Sequence, residues 1–246
     1  MTLGSQRGAA LVVTLMAMLL MASIGAALVL ATNMDVQIAA NAGAATEAFY
    51  AADAVFERTL AELRAAPDFT LVLDGSVGSS FVDGPPTGVR TMPDHTSVDL
   101  LEIENLANCA RREPCSDTDM DSSIRDRPWG RRNPRWRLFS WGKLEADGPG
   151  PSLYVVTLVA DDPAETDDDP WEDGAWTGAA VNPGAGVLLI RAEAFGRRGA
   201  HRVIEGGVVR HDLVALARWQ AADPATRGPA PSGFPVLQVL AWREVR

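Results

Sequence analysis

Between Asp161 and Asp173 eight carboxylates fall within thirteen residues with no basic residue among them: Asp161, Asp162, Glu165, Asp167, Asp168, Asp169, Glu172 and Asp173. Calcium takes about six to eight oxygen ligands, and it draws them from loops of this kind. The run is therefore a candidate calcium site. It is not an EF-hand, because Pro170 stands where the turn after Asp167 and Asp169 would need Gly. A solvated acidic loop whose mutual repulsion is tolerated at the surface is the other reading. Composition leaves both open.

A second cluster has the opposite sign. Arg125, Arg127, Arg131, Arg132, Arg135 and Arg137 interleave with Trp129 and Trp136. Such a mixture suits single-stranded nucleic acid, where basic groups follow phosphates and aromatic rings stack on bases. The formal net charge of -10 argues against it, since phosphate contacts need an excess of clustered base. Intramolecular use, with Arg stacked on Trp or paired with the acidic run or a neighbouring subunit, is the reading adopted.

The three histidines, His95, His201 and His211, fall in a loop and in or beside an expected strand, and they read as ordinary polar residues. A phosphate-binding glycine loop, a GxSxG elbow and an HExxH pair are all missing from the sequence. Zinc would need two ligands beyond Cys109 and Cys115, and His95 has no partner at ligand spacing. No enzyme is expected, and an anchored periplasmic enzyme is the weakest of the readings.

The element that fixes where these residues work is the N-terminal one. No charged residue occurs between Arg7 and Asp35. The 23 residues from Ala9 to Ala31 make roughly 35 Å of helix, enough for a hydrocarbon core of about 30 Å. Arg7 before the span and Asp35 after it give an N-in, C-out orientation. The head then lies outside the cytoplasm, where a disulfide between Cys109 and Cys115 can persist. A cleaved secretory signal ending near Val29 and Ala31 is the bland alternative, but its apolar core would be too long.

Helical patterning also continues past the apolar run. Met34, Ile38, Ala45, Phe49, Ala52, Phe56, Leu60 and Leu63 recur at intervals of three, four or seven. One helix is expected from Ala9 to Ala66, stopped by Pro67, with a weak point at Asn41 and Gly43. The stretch from Glu47 to Arg58 is rich in alanine, which lets helix backbones approach closely.

Residues 67–246 form the head. From Asp68 to Arg135 the chain reads as a long, partly irregular insertion with one short helix over Ser97 to Ala110, capped by Thr96. Five strands follow: Trp136 to Leu144, Leu153 to Ala160, Val187 to Phe195, His201 to Arg210 and Val236 to Val245. The third and fourth are joined as a hairpin by Gly196 to Gly199. The expected class is α+β, a long helix followed by an antiparallel sheet in one head domain.

This arrangement resembles the type IV pilins, in particular the PilX-like minor pilins. The run Arg7-Gly8-Ala9-Ala10-Leu11-Val12 looks like a prepilin peptidase site. The segment Glu47, Tyr50, Ala51, Ala52, Asp53, Ala54, Glu57, Arg58 is similar to the stretch with which PilX-type domains leave the membrane. Head segments Arg127 to Gly142 and Arg191 to Gly196 also look like those of large PilX-like proteins.

The resemblance implies a leader, residues 1–8, cleaved between Gly8 and Ala9, with Ala9 methylated. It implies residence in the inner membrane, a periplasmic head, and an extracellular filament after assembly. Partners would be other pilins, the prepilin peptidase, the platform protein and the assembly ATPase, with nucleic acid not expected. The residues assigned to the assembly helix are Val13, Glu47, Tyr50, Asp53, Glu57 and Arg58. Most pilins carry Glu at the fifth residue after cleavage, and Val13 stands there instead, a departure shared with PilX-like and tip-type minor pilins. Calcium loops known among pilin-like proteins add weight to the acidic run.

The reading that results is a non-enzymatic minor pilin acting in type IV pilus assembly near the filament tip. A type II secretion pseudopilin, a calcium-dependent adhesive module and a membrane-anchored periplasmic protein that never polymerises are the alternatives.

Overall fold

In a computed structural model, the structure describes residues 6–66, 68–92, 96–144, 153–165, 168–174, 186–211, 223, 226 and 236–245. The chain divides into two compact units, Met1–Ala44 and Ala45–Arg246.

A single helix, α1 (Gln6–Leu63), runs through the boundary between the units. In the first unit its side chains from Ala9 to Ala39 are exposed, and most are apolar. The helix is long and apolar enough to cross a membrane, with a mean hydropathy of 2.4 over its most apolar window. Its hydroxyls are closed internally. Thr14 donates to the Leu11 carbonyl (2.9 Å), Ser23 to Leu20 (2.8 Å) and Thr32 to Leu28 (2.8 Å), so these polar groups need no water. The weak point expected at Asn41 and Gly43 does not unwind, and helical hydrogen bonding is continuous across it.

The expected helix ended at Ala66, but regular helix stops at Leu63. The turn tightens there, with the amides of Ala65 and Ala66 bonding to the carbonyls three residues back. A residue before proline is pushed out of the α region, so the sequence Ala66-Pro67 draws the end inward.

In the second unit the helical stripe is buried from Ala48, Ala51, Ala52, Val55 and Phe56 to Leu60 and Leu63. Met34 and Ile38, which continue the same periodicity in sequence, are exposed. After α1 come a single turn, α2 (Thr70–Leu73), then strands β1 (Val89–Thr91) and β2 (Ser97–Asp99), which pair as a small antiparallel ribbon. Helix α3 (Leu100–Cys109) and the short turn α4 (Asp117–Met120) follow. The helix expected to begin at Ser97 under a Thr96 cap thus begins at Leu100. Its cap is Asp99, whose carboxylate accepts from the Leu101 amide, because Ser97 to Asp99 are drawn into the ribbon first.

The five expected strands are present as β3 (Arg137–Leu144), β4 (Leu153–Asp161), β5 (Val187–Phe195), β6 (His201–His211) and β7 (Val236–Val245). They form one sheet in sequence order, every pair antiparallel. The β5–β6 turn closes where expected, with the Gly196 amide bonded to the Ala200 carbonyl (2.8 Å).

Period-two alternation sends side chains to both faces of the sheet. Val155, Val159, Leu188, Ile190, Ala192, Ala194, Ile204 and Val208 pack with α1. Tyr154, Val156, Leu158, Ala160, Trp136 and Trp141 pack on the other side with Met92, Val98, Leu100, Ile103 and Ala107. The insertion is therefore not mainly irregular. It forms the second cover of the sheet, which explains why β4 is apolar on both faces apart from Thr157 and the terminal Asp161. The two cysteines join as the disulfide Cys109–Cys115, with Cα atoms 6.0 Å apart, at the end of α3.

Candidate functional site

The residues assigned to an assembly surface sit along α1 in two groups. Val13 lies in the apolar part, 65% exposed among Leu11, Val12, Leu15 and Met16. Ala9 and Gly8 occupy the first turns of the same helix, while residues 1–5 of the leader lie outside the described residues.

The second group lies where α1 covers the sheet, and its members divide by what they touch. Glu47 accepts from the Arg197 guanidinium of the β5–β6 turn (2.9 Å), tying helix to hairpin. Arg58 pairs with Glu62 one turn on (3.3 Å) and lies over the Phe81 ring, 4.6 Å from its centroid. These two hold the head to its own helix. Tyr50, Asp53 and Glu57 are exposed, spaced three and four residues apart, so they share one outward face. The group is thus split: Glu47 and Arg58 fasten the fold, while Tyr50, Asp53 and Glu57 face outward.

The acid-rich run acts mainly as an acceptor of backbone hydrogen bonds. Glu165, almost wholly buried, accepts from the Gly174 amide (3.0 Å), and Asp173 from the Gly186 amide (2.6 Å). Asp169 accepts from Trp171 (3.0 Å), Asp162 from Ala164 (3.1 Å), and Asp161 from Asp162 (2.8 Å). Asp168 and Glu172 are exposed, and Asp167 lies outside the described residues. Among the described residues no three of these carboxylates gather closely enough to hold a cation.

The arginine cluster is used largely within the chain. Arg127 is buried and donates to the Pro134 carbonyl (3.0 Å), and burial with the nearby Arg135 charge draws its pKa down to about 10. Arg135 is ion-paired with Asp121. Arg137 donates to the carbonyls of Leu73 (3.3 Å) and Asp74 (2.6 Å). Arg132 donates to the Glu165 main-chain carbonyl (3.3 Å), so the basic turn meets the acidic one through the backbone and not through the expected charge pairing. The expected Arg–Trp stacking is not found among the described residues; the guanidiniums that lie over rings are Arg58 on Phe81 and Arg210 on Phe69.

Sequence reasoning did not find an extended polar network among the described residues. On the sheet face away from α1, Glu193 is 3% exposed and bonded to His201 Nε2 (2.8 Å) and to Arg191 (2.6 Å). Arg191 continues to Glu205 (2.5 Å), and Glu205 to Arg243 (2.8 and 3.1 Å). The imidazole also stacks on Phe195, with ring centroids 4.4 Å apart. Burial alone would raise the Glu193 pKa; the His201 and Arg191 contacts outweigh it and hold the carboxyl below its ordinary value. The signal was present, since Arg191 and Glu193 alternate with apolar residues and so share a face. Two buried amides escaped notice likewise. Asn108 bonds both the amide (2.7 Å) and the carbonyl (2.8 Å) of Trp136, and Asn133 bonds the Met120 and Ser122 carbonyls (2.9 and 3.1 Å).

A continuous N-terminal helix, apolar and exposed at its start and buried against an antiparallel sheet further on, defines a pilin-like α+β protein. Residues 7–57 match the family model described as PilX N-terminal, so the chain carries a PilX-type N-terminal segment and, with it, a type IV pilus-related pilin character. The match covers about a fifth of the chain and stops within the head portion of α1. No curated protein and no solved structure matches the chain.

Proposed function

We propose that this protein is a non-enzymatic minor pilin that takes part in assembling a type IV pilus, positioned near the filament tip. The observation that carries the reading is the division of labour along α1. Its first part presents uncharged, internally satisfied side chains for lipid or for a filament core, and its later part is locked to the head by Phe56, Leu60 and Leu63. Such a helix can wait in the inner membrane, head outward, and then be drawn into a bundle of like helices without unfolding the head. The work of extraction comes from a partner ATPase acting through a platform protein.

In this account a prepilin peptidase removes residues 1–8, and Ala9 becomes the methylated N-terminus. Val13 supports a place at the start of the filament. A carboxylate at that position would neutralise the terminal amine of the preceding subunit, and holding one in lipid costs about 2.5 to 3.5 kcal/mol on insertion scales. An initiating subunit has no predecessor, so Val13 costs it nothing. A type II secretion pseudopilin shares every one of these features except its machine. Mass spectrometry of the mature N-terminus tests the processing: a methylated Ala9 is expected, and a protein beginning at Thr32 would exclude a pilin leader.

Calcium binding at residues 161–173 rests on composition, since Asp161, Asp162, Glu165, Asp169 and Asp173 accept from backbone amides. A melting temperature that rises from chelator to millimolar calcium, and no longer does so in Asp168→Asn/Asp169→Asn, would establish it.

A further inference from the structure

Three consecutive residues at the end of α3 have three different tasks. Asn108, 6% exposed, holds the sheet: its side-chain oxygen accepts from the Trp136 amide (2.7 Å) and its side-chain nitrogen donates to the Trp136 carbonyl (2.8 Å). Cys109 is bonded to Cys115. Ala110 caps the helix in the left-handed region, at φ 57° and ψ 29°, with its amide bonded to the Leu106 carbonyl (3.0 Å).

Glycine ends helices in this region freely, whereas the β-carbon of alanine crowds the following carbonyl oxygen there. Ala110 must therefore be held in place by its surroundings. Among the described residues the noncovalent restraints are weak. Arg111 pairs with Asp119 (2.6 Å) and Arg112 with Glu102 (3.2 Å), but the two arginine side chains are 59% and 78% exposed, where water competes. The Asn105 side chain reaches the Arg112 carbonyl at 3.3 Å. The covalent bond is the stronger restraint. Cys109 and Cys115 have a sequence separation of 6 and Cα atoms 6.0 Å apart, so the chain must reverse directly after Cys109, and Ala110 is the residue that turns it.

We infer that Cys109 and Cys115 form a redox switch for the docking of the insertion on the sheet. As a disulfide the pair locks Ala110 left-handed and Asn108 onto Trp136; as two thiols it releases both. With the bond open, Ala110 leaves the left-handed region, the last turn of α3 loses the hydrogen bond to Leu106, and Asn108, two residues back, parts from Trp136. The start of α3 stays in place through Leu100 and Ile103 in the apolar layer, so the opening is confined to its end. Closing the switch takes an oxidant disulfide. One cysteine thiolate attacks it, giving a mixed disulfide and one released thiol, and the second cysteine thiolate then displaces the other. The two cysteines lose two electrons and two protons, and the oxidant gains them as two thiols. The switch lies outside the PilX-type segment, and the inference stands whether or not the chain enters a filament.

Amide exchange of the full-length protein in detergent micelles tests this, resolved by residue with electron-transfer fragmentation in a mass spectrometer. The Trp136 amide is the reporter, since it donates to Asn108. Reduction with dithiothreitol should accelerate its exchange at least tenfold, while the amides of Val155 to Val159 keep their rates, and oxidised glutathione should restore the slow exchange. Ala110→Gly should match the unsubstituted protein when oxidised and lose most of the acceleration when reduced, because glycine keeps the left-handed turn without the bond. An unchanged Trp136 rate on reduction overturns the inference. Equal acceleration throughout the sheet also overturns it, since that marks a general loosening of the head. Acceleration that Ala110→Gly leaves undiminished does the same, because the turn would then have no part in the coupling.

Discussion

Phe56 of α1 lies so close to Gly206 of β6 that a β-carbon on Gly206 would stand 2.8 Å from its ring. The same β-carbon would be 3.0 Å from the Ala241 carbonyl on β7, so there is nowhere to retreat. The bare backbone at Gly206 is what lets the helix settle onto the sheet. Gly206→Ala should cost about 1 to 3 kcal/mol by overpacking. Gly207→Ala, whose β-carbon would meet Leu189 at an ordinary 3.6 Å, should cost far less. Thermal melts of the two variants under one condition make the comparison.

Asn108 is the hinge pin between the insertion and the sheet. Replacing it with leucine keeps the volume and strands the buried amide and carbonyl of Trp136. Each unsatisfied group costs about 1 to 3 kcal/mol. The variant should lose stability on that scale, read from urea unfolding with near-ultraviolet circular dichroism as a probe of the tryptophan environment.

Acid should weaken the head partly through Glu193. Its pKa is lowered in the folded state, so its contribution is fully present above the unfolded carboxyl value. That contribution is lost as pH falls through the folded value. Stability should therefore decline below about pH 4.3, the ordinary Glu range. Glu193→Gln should be less stable at neutral pH and show a shallower acid decline. Urea midpoints from pH 7 to pH 3 provide the measurement.

The Cys109–Cys115 bridge closes a loop with a sequence separation of 6. On the chain-entropy account a loop this short contributes about 2 kcal/mol. Cys109→Ser/Cys115→Ser should lower the melting temperature by several degrees and leave the far-ultraviolet spectrum of the sheet and α1 unchanged.

The sequence showed the fold wherever one rule acted alone. The strands β5 and β7 were legible to the residue because period-two patterning and flanking glycines or prolines agree there. The single helix was legible because its stripe passes through the end of the apolar run. Boundaries failed where two demands competed. Ser97 to Asp99 could start a helix or close a ribbon with Val89 to Thr91, and only the tertiary pairing decides. The insertion looked irregular because its apolar residues, Met92, Val98, Leu100 and Ile103, are spread over short elements, and their shared destination on the sheet has no local period. In the acidic run composition shows the charges and hides the backbone amides that Glu165 and Asp173 accept from.

The central claim is that this chain enters the filament as a minor subunit. Quantitative mass spectrometry of sheared, purified filaments tests it most directly, counting the Ala9 N-terminal peptide and a head peptide such as 153–161 against the major pilin. The account predicts that both peptides are present, N-terminally processed, at a small fraction of the major subunit. Absence from the filaments, or abundance close to that of the major pilin, would contradict it.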